Sequence, residues 1–497
     1  MSTETKKAPR EGGVGLAILK FVPLIVMMLL VIVVGLELVL AAAISVFVAA
    51  VISMFVNRCG FDDAFEFGAQ AVRGIVMVFF VNMFAYAVGE VFMATGVGAA
   101  LINLSLAAGV TARTIAVIAF LLTCALSLAT GTSWGTFAAC APIFLWLNYL
   151  LGGNTVLVLG AIAGGSCFGD NIGMITDTTV LSCGMQDVKI IDRVKHQGPW
   201  SVLCIIITVI ITFAMSMSLP STQGSLQEAL ASIPAEAYEV LEVERPGAIT
   251  LLEQVQTGVP VYMVIPFVLV IATAFTGMNT MLCLGSGVVS ALILGLIAGE
   301  CTLMGWLNDM MLAGFSSSGG SAIIMMMWVA AFGGIMNSMG AFEPLAKLVV
   351  KMSANVHHLM GWCGVLCIVG NAALADEAAE IATFSPIVRG IVEEEVEASE
   401  EDMYKLRTRL ATFTDALGVY GSELIPWHCF PVFFLAIASG VFPIEEIDVW
   451  DIIVNNWMSM ISVISIIILT FTGLDRFIPL FGLPKDAKLK KKVAAGK

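Results

Sequence analysis

Residues 16–56 read LAILKFVPLIVMMLLVIVVGLELVLAAAISVFVAAVISMFV, with Lys20 and Glu37 as the charges. A helix needs about 20 apolar residues to cross the ~30 Å hydrocarbon core of a bilayer, so this run is about twice one span. It reads as a helical hairpin bending near Gly35 and Glu37. Similar runs recur at about 74–94, 112–150, 155–185, 199–218, 259–277, 279–299, 320–340, 358–390, 411–440 and 447–475, with a shorter piece at 97–110. Of the 497 residues, 59% are hydrophobic and 12% charged, against roughly 25% charged in a soluble domain. That excludes a soluble enzyme, a nucleic-acid binder and a secreted disulfide scaffold. The chain is predicted to be an all-α polytopic membrane protein.

The polar stretches divide it. Residues 1–15 form a short N-terminus without a cleavable signal pattern, and 16–218 and 258–476 hold the two sets of spans. Between them lies the acidic linker 219–257, with Glu228, Glu236, Glu239, Glu242, Glu244 and Glu253 against Arg245; 477–497 is a basic tail. Lys and Arg set orientation. Lys6, Lys7 and Arg10, the group Lys189, Arg193 and Lys195, and the tail lysines from Lys485 to Lys497 all point to the cytoplasm. Both termini are therefore expected inside, and the acidic linker outside. Residues 57–73 place Phe61, Phe65, Ala69 and Val72 at helical spacing, as in a helix lying in the membrane interface. The eleven cysteines are scattered through apolar segments with no CxxC pair, which reads as buried free thiols rather than a metal or disulfide framework.

At an offset of 244 or 245 residues the halves echo one another. Gly60 meets Gly305, Ala94-Thr95-Gly96 meets Ser338-Met339-Gly340, Pro142-Ile143 meets Pro386-Ile387, and Asp170 to Gly173 meets Asp415 to Gly418. The charge map puts 57–73 inside but its counterpart 302–318 outside. It also puts the turn at Gly152-Gly153 outside but the counterpart 393–409, with Lys405, Arg407 and Arg409, inside. Two inverted-topology repeats follow, a build shared by many secondary transporters.

Three stretches set polar groups inside apolar spans. Thr130-Gly131-Thr132-Ser133-Trp134-Gly135-Thr136 has two glycines and four hydroxyls, enough to break a helix at mid-span. Unwound backbone at membrane depth survives only inside protein or against a watery cavity. Its hydroxyl and carbonyl oxygens suit a small cation; the alternative is a small-residue packing surface. The second stretch, Gly164 to Ser182, carries Asp170 and Asp177, each costing at least ~2.5–3.5 kcal/mol inside a membrane. A helix would put these two on one face, whereas the glycines of the lead-in argue for a break there. No basic residue lies between Arg113 and Lys189, so any partner must come from elsewhere. In the third, Gly370 to Glu380 falls opposite the GTSWG stretch and carries Asp376, Glu377 and Glu380. Asp376 and Glu380 would share a helix face. Asp415 and Glu423 fall opposite the GDN stretch. A proton carrier among these acids is one reading; acids at a watery helix end is the other. Trp134, Phe168 and Trp427 are candidates for caging a cationic organic substrate, with packing as the alternative. His428 reads as a proton gate or a satisfied core histidine.

Gly131-Thr-Ser-Trp-Gly-Thr-Phe137, Gly169-Asp170 followed by Asp177-Thr178-Thr179, and Leu424-Ile-Pro-Trp427 resemble the signature segments of the NhaC family of sodium/proton antiporters, within the ion transporter superfamily. The resemblance covers about residues 15–475. It implies an elevator-type fold of inverted repeats with broken helices in a prokaryotic cell membrane. It further implies sodium/proton antiport or, as in some relatives, cation-coupled exchange of an organic acid or amino acid. Carried over, Thr132, Ser133, Asp170, Asp177 and Thr178 match the motif positions, with Asp170 and Asp177 as the sodium ligands. Together with Thr136, Asn171, Asp376, Glu377, Glu380, Asp415 and Glu423 they form the candidate ion or substrate site. The chain departs where relatives often have Gly-Asp-Lys: Asn171 stands at the Lys, and the ADEAAE run adds three acids. Both changes favour a cation, sodium or a small cationic or zwitterionic amine.

The resemblance implies no cofactor beyond sodium or protons and no nucleic-acid partner; a homodimer is allowed. No HExxH, Walker loop or GxSxG stands in a plausible context, so the chain is not read as an enzyme. Two unlike polar breaks argue against a channel around one pore.

Overall fold

The apolar run that opens the chain folds as the expected hairpin. The computed structural model describes residues 14–490, apart from 75, 175, 223–230, 232, 234–245, 277, 321, 341–342 and 443. Glu228, Glu236, Glu239, Glu242, Glu244, Arg245 and both extreme termini lie outside the described residues. Helix α1 (Val14–Met28), extended by one π turn to Val33, stops before Gly35, whose φ is +69°, and α2 (Leu38–Asn57) returns. Next come α3 (Phe61–Gly74), α4 (Val76–Ala94), α5 (Val97–Ala107), α6 (Ile115–Thr130), α7 (Ser133–Leu150), α8 (Thr155–Ile172), α9 (Asp177–Gln186) and α10 (Ile190–Ser216).

After α11 (Pro246–Thr257) come α12 (Ile265–Phe275) and α13 (Thr280–Ala298). A π turn at Trp306–Met311 leads into α14 (Leu312–Gly320), followed by α15 (Ala322–Ser338), α16 (Glu343–Met352), α17 (Val356–Leu374) and α18 (Glu377–Glu395). The last helices are α19 (Glu400–Ser422), α20 (Cys429–Val441), α21 (Val449–Asn455) and α22 (Trp457–Thr472). Strand β1 (Val396–Glu397) pairs antiparallel with β2 (Lys488–Leu489).

Five described helices are long and apolar enough to cross a bilayer: Leu38–Asn57, Thr155–Ile172, Ile190–Ser216, Met281–Ala298 and Val356–Leu374. Two bent pairs, Tyr86–Ala94 with Val97–Ala107 (67°) and Val449–Asn455 with Trp457–Thr472 (58°), raise this to seven. The chain is an all-α polytopic membrane protein. Exposed Ile, Leu, Val and Phe side chains along α2, α10 and α13 face outward, where lipid tails are their solvent.

The helices pack in two groups. Helices α2 and α3 pack on α15, α13 and α14 on α4, and α12 on α13; α6 to α9 interlock with α17 to α20, and α10 and α22 close against them. Contacts of α4 with α7 and of α15 with α17 join the groups. Without a hydrophobic force between helices in lipid, close packing needs small residues. A Cβ on Gly169 would lie 1.9 Å from Leu128 N, and one on Gly160 2.4 Å from the Asn455 backbone. The glycines before Asp170 therefore form a crossing surface, and α8 runs unbroken through them to Ile172. The break expected in that lead-in falls at 173–176 instead.

Candidate functional site

Four interruptions in helices meet inside the second group. Helix α6 ends on Gly131, whose φ of +68° is left-handed backbone that glycine adopts freely, and α7 starts after extended Thr132. Helix α17 ends the same way on Ala375 (φ +53°), and α18 starts after extended Asp376. Gly131 and Ala375 are separated by the same interval as Asn171 and Asp415, 244 residues. Helix α8 is interrupted at 173–176 before α9, and α19 at 423–428 before α20.

The first interruption is closed by a side chain from another helix. Thr132 makes no side-chain cap on α7. Instead Asp170, near the end of α8, accepts from Ser133 Oγ (2.6 Å) and Ser133 N (3.2 Å). A carboxylate at a helix N-terminus meets unsatisfied N–H groups and the positive end of the helix dipole, which suits buried Asp170 to that place. Thr136 returns its hydroxyl to Thr132 O at 2.8 Å, and Thr178 gives its own to Asp170 O at 3.4 Å. Asp177 begins α9 on the far side of the 173–176 break and is exposed. The two acids read as sodium ligands thus stand in different surroundings.

The second interruption is acid-rich. Asp376 caps its own helix through Ala379 N (2.7 Å) and precedes α18, so it is not stacked on Glu380 as a shared helix face requires. Glu377 and Glu380 fill the first turn and are buried, not in water. The weakly donating Cys367 thiol is beside Glu380, which has no stronger donor among the described residues, and one oxygen of Glu377 has no hydrogen-bond partner. Glu380 lies against Gly418 of α19, where a Cβ would stand 3.4 Å from its Oε2. Glu423, at the end of α19, accepts from Cys167 Sγ (3.2 Å) and sits 3.5 Å from Asn456 Nδ2.

Asp415 differs from all of these. Arg193, near the start of α10, reaches its Oδ2 at 2.7 Å, with both side chains fully buried. Thr179 donates to the same oxygen at 2.9 Å, and the Asn171 amide lies 3.4 Å from Oδ1. Reading from the sequence places Arg193 among cytoplasmic loop charges. The structure leaves Lys189 and Lys195 exposed and turns Arg193 inward. It pairs with Asp415 and touches Thr179 and the Asn171 carbonyl, so Asp170 and Asp177 gain no basic partner among the described residues.

The aromatic candidates are held by protein. The Trp134 ring lies 4.3 Å from Phe430 and 4.4 Å from Phe433, packing α7 on α20. Trp427 donates Nε1 to Ala372 O at 2.7 Å, and Phe168 is buried on α8. His428 is a satisfied core histidine: Nε2 meets Asn371 Oδ1 at 3.0 Å and Nδ1 accepts from Phe430 N at 3.3 Å.

Buried acids at crossed, interrupted helices are an ion carrier's furniture, and sequence comparison agrees. A profile of the Na+/H+ antiporter family matches residues 4–217 and 165–474. The chain belongs to the Na+/H+ antiporter family. It is 24% identical over 375 residues to the arginine/ornithine antiporter ArcD of Halobacterium salinarum, covering 72% of this chain and 70% of that protein. To the Na(+)/H(+) antiporter NhaC of Alkalihalophilus pseudofirmus it is 22% identical over 324 residues, 61% and 64% of the two chains. A shorter match, 35% over 95 residues, joins it to the malate-2H(+)/Na(+)-lactate antiporter of Bacillus subtilis, 19% and 20% of the chains. Membership makes it a divergent NhaC-type transport protein rather than an enzyme.

Sequence reading of this antiporter-family chain missed Arg193, Thr179, Gln197, Asn371 and Asn456. All five are buried at the site; Arg193, Gln197 and Asn456 stand outside the acid-bearing stretches, and Thr179 and Asn371 lie within them. The signal available was that Arg193 is followed at helical spacing by Gln197 and Ser201, a polar stripe entering an apolar run.

Proposed function

We propose that this protein is a secondary active antiporter that exchanges sodium for protons by alternating access. The observation that carries the reading is the pair Glu377 and Glu380, buried with no ion pair among the described residues, one Glu377 oxygen without a donor and only the weakly donating Cys367 thiol beside Glu380. A bare buried carboxylate is costly, and an arriving proton or cation removes that cost, which is what an exchanging site needs. Thr132, Ser133, Thr136, Asp170, Asn171, Asp177, Thr178, Asp376, Glu377, Glu380, Asp415 and Glu423 form the site, with Asp170 and Asp177 as sodium ligands.

The moving unit in this reading is the group of α6 to α10 with α17 to α22. It slides elevator-fashion against the group containing α2 to α4 and α13 to α15. Two inverted repeats, 16–218 and 258–476, supply half of each group. The matched left-handed breaks at Gly131 and Ala375, and the prolines Pro142 and Pro386 inside α7 and α18, support that division. Both termini lie in the cytoplasm of a prokaryotic cell, with the acidic linker 219–257 outside. The β1–β2 pair and the Tyr404 to Asp192 hydrogen bond (2.8 Å) bring the tail, the 393–409 segment and the start of α10 to one end of the molecule, as this orientation requires.

A second reading has a specific observation behind it. Four buried acids, Asp170, Glu377, Glu380 and Glu423, have no ion pair among the described residues, more negative charge than one sodium ion balances. An organic amine or amino acid, coupled to sodium or protons, then becomes the cargo, consistent with the relative named an arginine/ornithine antiporter. Proteoliposomes carrying an internal pH dye decide between them. An imposed sodium gradient is expected to move protons; no proton movement, with uptake of labelled arginine or ornithine, would replace the first reading by the second.

A further inference from the structure

The two terminal nitrogens of Arg193 are enclosed by oxygen, while its Nε has no hydrogen-bond partner. Its Nη1 meets Asp415 Oδ2 at 2.7 Å and Thr179 Oγ1 at 2.8 Å; its Nη2 meets the Asn171 carbonyl at 2.8 Å and Gln197 Oε1 at 2.7 Å. Carboxylate, hydroxyl, carbonyl and amide oxygens together are the donor set that hard cations take. The four come from α8, α9, α10 and α19, the interrupted helices and their nearest neighbour, and each of these residues is buried. Asp415 also stands 244 residues from Asn171, so the cage sits where one half presents its polar motif to the other.

We propose that Arg193 is a tethered cation: its guanidinium permanently fills an oxygen cage around Asp415 that would otherwise take a free cation, and so sets how many cations the site holds. This rests on the cation-exchange reading and deepens it. A buried ion pair is weak evidence for stability, because desolvating two charges offsets their attraction. A role in charge counting explains why the pair is kept here. In the described site Asp170, Glu377, Glu380 and Glu423 keep no such counter-charge, so exchange falls to them.

The test uses purified full-length protein in detergent. Arg193→Ala empties the cage, and methylguanidinium chloride is titrated against it, with choline chloride as the salt control. The variant is expected to gain several degrees of melting temperature with methylguanidinium while the wild type gains none. It is also expected to bind one more sodium ion per chain than wild type by calorimetric titration. An R193A protein that ignores methylguanidinium and binds wild-type numbers of sodium ions overturns the proposal.

If R193A is not recovered, Asp415→Asn decides. It strands a positive charge beside the remaining acids, so sodium affinity should fall at least tenfold, and R193A/D415N should return to within about threefold of wild type. Equal weakening in D415N and the double variant means the pair is purely structural and overturns the proposal. A wild type that exchanges no sodium for protons would count against the functional reading alone, since the methylguanidinium shift does not require exchange.

Discussion

The two left-handed helix breaks, at Gly131 and Ala375, are built with opposite chemistry. At the first, Gly131 supplies the left-handed turn and Asp170 crosses from another helix to occupy the N-terminus of α7. At the second, Ala375 takes the same turn without glycine's freedom, Asp376 caps locally, and Glu377 and Glu380 hang in the interior with no ion pair among the described residues. The first break meets its acid with two donors from Ser133, whereas the second leaves one oxygen of Glu377 without any. A shared backbone interruption therefore does not imply a shared job.

The comparison can be broken most severely at its packing. Gly169→Ala would drive a Cβ to 1.9 Å from Leu128 N and 2.1 Å from Ser127 C, so α6 and α8 must separate; loss of the monodisperse protein on size exclusion is expected. Gly418→Ala, whose nearest neighbour is Glu380 Oε2 at 3.4 Å, is expected to stay folded in the same assay. If both variants behave alike, packing beside the first break is no tighter than beside the second.

The next effect is functional. Asp170→Asn keeps a polar group at Ser133 but removes the charge, and is expected to abolish ion-coupled transport in proteoliposomes while the melting curve stays cooperative. Wild-type rates in that variant would take Asp170 out of the mechanism.

The smallest effect is conformational. Gly131→Ala places a side chain at φ +68° and should lower stability by about 1 kcal/mol. Ala375→Gly relieves the same conformation and, after the entropy that glycine adds to the unfolded chain, should raise stability by about 0.5 kcal/mol. Thermal unfolding in one detergent measures both, and a loss in A375G would show that the second break does not hold alanine under strain.

Much of this was legible beforehand. Apolar run length gave the membrane class, since a ~30 Å core must be crossed by about 20 residues. The hairpin bend near Gly35 and the break at Gly131-Thr132 followed from glycine and hydroxyl clusters. The glycines before Asp170 carried an ambiguous sign: glycine both breaks helices and lets them touch, and only the neighbouring α6 and α21–α22 show that packing won. Arg193 and Arg409 looked like cytoplasmic anchors beside Lys195 and Lys405, because charge alone does not reveal which way a side chain turns. Arg409 is in fact buried, 3.3 Å from Asp475 and stacked over Phe481 at 3.8 Å.

By itself the sequence determined a polytopic helical protein, the positions of its interruptions and the excess of acids near them. These follow from composition and local backbone preference, which need no partner. Only the tertiary structure decided which acids are satisfied. Asp170 found Ser133, Asp415 found Arg193, and Glu380 found only the weakly donating Cys367, because hydrogen bonds between residues far apart in the chain exist only once the helices cross.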